Sequence, residues 1–266
     1  MPSQENKQKI LNALANKNFV KIISGIQNYD KQKSLNVAMG AEMGGATALD
    51  LCDNPEIIKS IRALVQLPIF VSSIDPLKLI AAQSFGVDAL EVGNYEGFYK
   101  QGKMFTPKEI LEIAKFVKKS ITKDLLISVT IPATLEIENQ IKLAKELITL
   151  GVDIIQTEGF DGDTPSSDRR DQTYSEILQS ASTLANTLEL RKALPKTNII
   201  TASGITLTTT PFALASGANG VGIGTYINLL TTQAEMTERV KELMDSINQS
   251  SVSHSLSSTK TLALQV

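Results

Sequence analysis

The 266-residue sequence has one histidine, one cysteine, no tryptophan and only 5% aromatic residues. The histidine, His254, lies in the polar stretch SSVSHSLSSTKTL, which sets aside histidine general-base chemistry and metal ligation of the histidine type. No metal site is expected. Cys52 has no second cysteine to pair with, which excludes an intrachain disulfide and fits a reducing compartment. No run reaches the roughly 18 apolar residues of a membrane helix, so no membrane partner is expected. A charge excess is also missing. Lys and Arg total 26 against 28 acidic residues, a net charge of −2, which leaves no electrostatic footprint for nucleic acid. A small molecule is the default partner, and none of these features encodes an oligomeric state.

Hydrophobic residues at 42% and charged residues at 20% are ordinary for a domain with a full core. No Pro- or Ser-rich linker divides the first 248 positions, so residues 1–248 read as one domain and 249–266 as a polar tail that frays. Glu5 with Ile10, Leu11 and Leu14 at helical spacing gives an amphipathic N-terminal helix, whereas a transit peptide would be poorer in acid. Eight β-branched runs then alternate with helical patterns: FVKIISG (19–25), ATALDLC (46–52), IFVSSI (69–74), ALEVGN (89–94), LLISVTI (125–131), DIIQTEG (153–159), NIITASG (198–204) and GVGIGT (220–225). Asn54-Pro55, Asp75-Pro76 and Thr106-Pro107 with Glu109 are helix starts, and Gly86, Gly151 and Gly217 are helix stops. The pattern predicts a single (β/α)8 TIM barrel. An open doubly wound sheet is the alternative, but eight units with no antiparallel edge fit closure better.

Side chains alternate across a strand, and the outer face of a barrel packs on helices, so apolar positions fix the parity. Val20 and Ile22 outward send Lys21, Ile23 and Gly25 inward. By the same rule Asp50 and Cys52, Glu91 and Gly93, Ser128 and Thr130, and Gln156 and Glu158 face in. Ile200 and Ala202 outward leave Thr201 and Ser203 inside. The inferred lumen holds one lysine and three carboxylates, whereas an inert barrel core is mostly Val, Ile and Leu. Either Lys21 sits between Asp50 and Glu91 as a structural ion pair, or these groups contact a polar ligand. Glu158, Asn94, Thr130 and Ser203 fall near C-terminal strand ends, where barrel enzymes place their sites.

The most specific feature is the pair ASGIT (202–206) and GANGVGIGT (217–225). Ser203-Gly204 and Gly222-Gly224-Thr225 bare backbone amides at the turns after strands seven and eight, where barrels recurrently bind phosphate. Ordinary turns are the plainer reading of the same glycines. Cys52 is either a nucleophile or an inert small hydrophobe. FDGDTPSSDRRDQ (160–172) is long and polar enough for a lid, whose Arg169 and Arg170 either reach a second anionic group or belong to a solvated loop. Asn94, Tyr95 and Tyr99 can stack on a ring or simply pack.

KIISGIQNYD (21–30), FVSSIDP (70–76), LEVGNYEGFY (90–99), VTIPATL (129–135), IQTEGF (155–160) and ASGIT (202–206) together resemble a family of numbered hypothetical chloroplast reading frames, the twenty-third of its series, encoded in algal plastid genomes and in cyanobacteria. The resemblance covers the chain to about residue 245. It implies a barrel in a plastid stroma or cyanobacterial cytoplasm and supplies no catalytic residues. The final quarter is also similar to sugar-phosphate epimerases, isomerases and aldolases, and to flavin-mononucleotide (FMN) oxidoreductases. Many of the latter use a histidine that is missing here. The expected function is therefore a lyase, epimerase or isomerase of a small phosphorylated carbonyl compound. Lys21 would polarise the carbonyl or form a Schiff base, and Asp50, Glu91 or Glu158 would move protons. An FMN protein and a non-catalytic phospho-ligand sensor or assembly subunit are the alternatives.

Overall fold

The structure, a computed structural model, describes residues 4–99, 101–122, 124–159 and 172–263, with side chains as far as 248. Its strands are β1 Phe19–Ile23, β2 Ala48–Leu51, β3 Ile69–Ser73, β4 Ala89–Val92, β5 Leu126–Thr130, β6 Ile154–Thr157, β7 Asn198–Thr201 and β8 Gly220–Ile223. Each lies within its expected segment. They pair in chain order, all parallel, and β8 returns to β1 through Phe19↔Gly220 and Lys21↔Gly222. The barrel is closed, which excludes the open sheet.

Helix α1 Gln4–Ala15 precedes β1. The first half of the barrel carries α2 Lys31–Gly44, α3 Pro55–Arg62, α4 Pro76–Ala82 and the single turn α5 Glu96–Tyr99. The second half carries α6 Pro107–Ser120, α7 Ile137–Leu150, α8 Gln172–Ala193, α9 Thr210–Ala215, α10 Thr225–Asn228 and α11 Gln233–Ala263. Within the polar stretch, the backbone of residues 249–263 continues α11. The proposed lid, with Arg169 and Arg170, lies outside the described residues.

Local chemistry explains the helix ends. Asn54 and Asp75 accept N–H groups of the first turn ahead of Pro55 and Pro76, and Thr106 with Glu109 forms a reciprocal capping box. Gly86, Gly151 and Gly217 turn the chain out at φ 76°, 90° and 100°.

The core has two parts. Val20, Ile22, Leu49, Leu90, Ile127 and Ile155, with their neighbours, face the helices. Phe19, Ala48, Phe70, Ala89, Leu126, Ile154 and Ile200 point inward at the N-terminal end, and Ile10 and Leu14 of α1 plug that end from below. Both plug residues are fully buried, worth roughly 1.5–3 kcal/mol apiece relative to exposure. The expected amphipathic helix is thus the barrel's bottom stopper. Around the outside, α11 packs on α2 where Gly40 and Gly44 admit Met236 and Val240. A Cβ at Gly40 would lie 2.7 Å from that of Met236.

One parity expectation fails. Ile200 is paired with the inward Gln156 and belongs to the lumen, so Thr201 faces out. Its hydroxyl meets Thr187 of α8 at 2.7 Å, and Thr187 also meets Thr157 at 2.9 Å. A hydroxyl cluster on this outer face satisfies itself against the helix, so polarity there does not mark the lumen. Ser203, beyond the strand, reaches the mouth through its turn rather than through strand alternation.

Candidate functional site

Above the apolar bottom layer lies a charged one. Lys21 Nζ sits 2.5 Å from Glu91 and 3.5 Å from Asp50, over the Phe70 ring at 4.9 Å. Burial works against the ammonium, but Glu91 and Asp50 more than offset it and hold the Lys21 pKa above the ordinary lysine value. Burial raises the Asp50 carboxyl, and repulsion from Glu91 adds to it against the pull of Lys21. The Ser72 hydroxyl donates to Asp50 at 2.7 Å, and Gln156 Nε2 donates to Glu91 at 2.7 Å. Thr130 donates to Glu91 at 3.3 Å.

Asn94 closes this layer from above. It adopts φ 70°, a left-handed conformation that asparagine tolerates better than most residues. Its Nδ2 lies within hydrogen-bond reach of Ser72 Oγ, Glu91 and Asp50 at 2.8, 2.9 and 3.2 Å.

The C-terminal mouth encloses a cavity of about 970 Å³. Its wall includes Asn94, Glu158, Ser203, Gly204, Gly222, Gly224 and Thr225. Lys21, Asp50, Glu91, Thr130 and Gln156 are fully or almost fully buried and do not line it. The residues expected at the site thus fall into two storeys, with Asn94 between them.

Glu158, 3% exposed, accepts the Tyr99 hydroxyl and the Glu96 N–H, each at 2.7 Å. Burial pushes its pKa up to about 7, against the lowering effect of those two donors. Facing it, the β7 turn carries Ser203 and Gly204 at φ 71° and 67°. A Cβ at Gly204 would lie 2.6 Å from the Gln179 carbonyl oxygen, so only glycine lets this turn lie against α8. Among the described residues no acceptor takes the N–H of Gly204 or Ile205. At Gly224 a Cβ would meet nothing nearer than Ile23 at 3.6 Å. Lys33 and Arg239 also line the cavity, Arg239 with its guanidinium 4.5 Å from the Tyr226 ring centroid. Lys33, Arg239, Glu96 and Ser72 carried no signal in the sequence, because they reach the site from separate segments whose convergence is tertiary.

Two other expectations lose their basis. Cys52 is buried, its thiol directed to the Asn28 carbonyl at 3.2 Å, and burial raises its pKa, which suits an inert thiol. Tyr95 is fully buried against Phe105, ring centroids 4.5 Å apart, and the Tyr99 hydroxyl is committed to Glu158. Neither ring is presented for stacking.

The barrel and its mouth define a protein of the TIM-barrel class. The chain belongs to the family described as "Protein of unknown function (DUF561)", whose model matches residues 5–253. It is 38% identical to "Uncharacterized protein ycf23" of Pyropia yezoensis over 87% of this chain and 83% of that one. With the ycf23 protein of Porphyra purpurea it shares 34% identity over 95% of each chain. Among solved structures it is similar to thiamine phosphate pyrophosphorylase from Pyrococcus furiosus, with a TM-score of 0.59 and 16% identity over 89% of this chain and 98% of that one. It is also similar to 3-hexulose-6-phosphate synthase, with a TM-score of 0.56 and 16% identity over 86% and 99%. At such identities these structures establish the shared fold alone. No helix among the described residues is long and apolar enough to cross a membrane.

Proposed function

We propose that the chain binds a small phosphorylated carbonyl compound in the C-terminal cavity and acts on it as a lyase, epimerase or isomerase. The observation that carries this reading is that one cavity wall contains both glycine turns and Glu158. Ser203, Gly204, Gly222, Gly224 and Thr225 would receive the phosphate through backbone amides, with Lys33 and Arg239 contributing charge. Glu158, with a pKa of about 7, exists in both protonation states near neutral pH, which suits a group that takes a proton and returns it. A Schiff base at Lys21 would need a neutral, reachable amine, whereas this one is buried and paired. In this reading Lys21, Asp50 and Glu91 position Asn94 and Gln156 rather than touch substrate. The names of the similar structures, a thiamine phosphate pyrophosphorylase and a hexulose-6-phosphate synthase, agree with a phosphorylated ligand. The ycf23 relatives agree with action in a plastid stroma or its cyanobacterial counterpart.

The test is calorimetric or NMR titration with inorganic phosphate and simple phosphomonoesters against wild type and Gly224→Val. A Cβ at 224 meets nothing nearer than 3.6 Å, and the valine side chain occupies the approach to the turn. Wild type should bind at millimolar ligand or below, and the variant at least tenfold more weakly with unchanged Tm. No binding by wild type, or equal binding by both, would overturn the phosphate assignment. A yellow chromophore retained on purification would transfer the same turns to the phosphate of a flavin.

A further inference from the structure

The cavity is polarised. Lys33 on α2, after β1, and Arg239 on α11, after β8, stand on one side; Glu96 on α5, after β4, and Glu158, after β6, stand on the other. The acidic side begins close to the β7 turn, since Ser203 Oγ lies 3.4 Å from Glu96. Glu176, a third carboxylate in the wall, is turned to the Thr206 hydroxyl and the Gln172 amide at 2.7 Å each.

A second, independent observation points the same way. Gln156 is fully buried and gives Nε2 to Glu91 and to Asn94 Oδ1, at 2.7 and 2.8 Å, which fixes the orientation of its amide. Its Oε1 has no donor and lies 3.3 Å from where a Cβ at Gly222, a wall residue, would stand. Asn228, also in the wall, donates Nδ2 to the Ile23 and Gly224 carbonyls and leaves its Oδ1 equally unpaired. Buried acceptors without donors are costly, and a phosphate, being almost wholly an acceptor, cannot relieve them.

We infer that the ligand is a short phosphomonoester whose far end donates hydrogen bonds through hydroxyl or ammonium groups, and that the site discriminates against a phosphorylated compound ending in a second anion. This deepens the reading above and rests on its phosphate assignment. A donor-bearing end would face Glu158 and Glu96 with complementary chemistry, with Gln156 Oε1 beneath the wall at Gly222. A carboxylate there would meet two carboxylates, of which the buried Glu158 is screened least by solvent. Among the described residues, the groups that act on Glu158 are Tyr99, Glu96 and Tyr95, none of them cationic.

The experiment compares glycerol 3-phosphate, O-phosphoethanolamine and phosphoglycolate by calorimetry at pH 8.5, where Glu158 carries its charge. Wild type should bind the first two at least tenfold more tightly than phosphoglycolate, and a gap between those two separates the hydroxyl from the ammonium source. Glu158→Gln and, independently, the exposed Glu96→Gln should each narrow the margin at least threefold while inorganic phosphate still binds, which also shows that the variants are folded. Phosphoglycolate binding as tightly as the others in wild type overturns the inference and leaves the phosphate assignment standing. A margin unchanged in both variants overturns the assignment of discrimination to this wall. Failure of all three ligands and of inorganic phosphate overturns both readings.

Discussion

Lys21 and Glu91 meet at 2.5 Å in a layer of the barrel where neither side chain is exposed to solvent. Asp50, 3.5 Å from the same ammonium, makes the layer one carboxylate richer than its cations. Replacing Lys21 with methionine keeps much of the volume but leaves two buried carboxylates without a counter-charge. Breaking such a pair costs about 3–5 kcal/mol. The loss should be largest at pH 8 and smaller at pH 5, where Asp50, its pKa raised by burial, takes up a proton. Urea unfolding at the two pH values checks this; equal destabilisation at both would mean that the charges are not coupled as described.

Asn94 holds φ 70° while its amide reaches three lumen groups. Asn94→Gly and Asn94→Ala both delete the amide, but only alanine keeps a Cβ on a left-handed backbone, at roughly 1–2 kcal/mol relative to glycine. Glycine's greater freedom in the unfolded chain takes back part of that difference. The alanine variant should still unfold at the lower urea concentration. The reverse order would show that the turn relaxes when the amide is lost.

How much of this was legible in the sequence depended on whether one strand face was unambiguous. In β1, β2, β4 and β6 a clear outer apolar face sends Lys21, Asp50, Glu91 and Gln156 inward, and the structure agrees. In β7, NIIT offers apolar residues of both parities, and the outer face is finished by the Thr157, Thr187 and Thr201 hydroxyls rather than by hydrocarbon. Parity is then undetermined locally. The division of the site into two storeys was not legible at all. It depends on the positive φ of Asn94 and on Gln156 spanning from β6 to Glu91 on β4, which no spacing rule encodes.

Gly44 and Gly40 gave no advance sign of their role, yet they let α11 close against α2 beside the β8–β1 seam. A Cβ at Gly44 would overlap the Val240 side chain and press on the Thr237 carbonyl. Gly44→Val should therefore lower stability by at least the 1–3 kcal/mol typical of overpacking, despite valine's lower conformational freedom when unfolded. Differential scanning calorimetry reads this as a Tm several degrees below wild type. A partner change, Val240→Ala, should recover part of the loss. An unchanged Tm in Gly44→Val would mean that the two helices are not held this close.

Glu158 supplies the most direct check on the mouth. Its carboxyl titrates near 4.5 in an unfolded chain and near 7 in the fold, because burial penalises the charged form more than Tyr99 and the Glu96 N–H favour it. Below pH 4.5 both states hold the proton. Between 4.5 and 7 the folded chain keeps a proton that the unfolded chain releases, so this group's contribution to stability declines as pH rises. Above 7 the full cost of burying the charge is felt, roughly 3 kcal/mol by linkage. Glu158→Gln removes the titration while its amide oxygen can still accept from Glu96 N–H. The stability of the variant relative to wild type should therefore rise between pH 5 and pH 8.5, by up to that amount. Measured by urea unfolding across this range, parallel pH profiles for the two proteins would show that Glu158 titrates as an ordinary surface carboxylate, and its role as the proton carrier of the site would fall with that result.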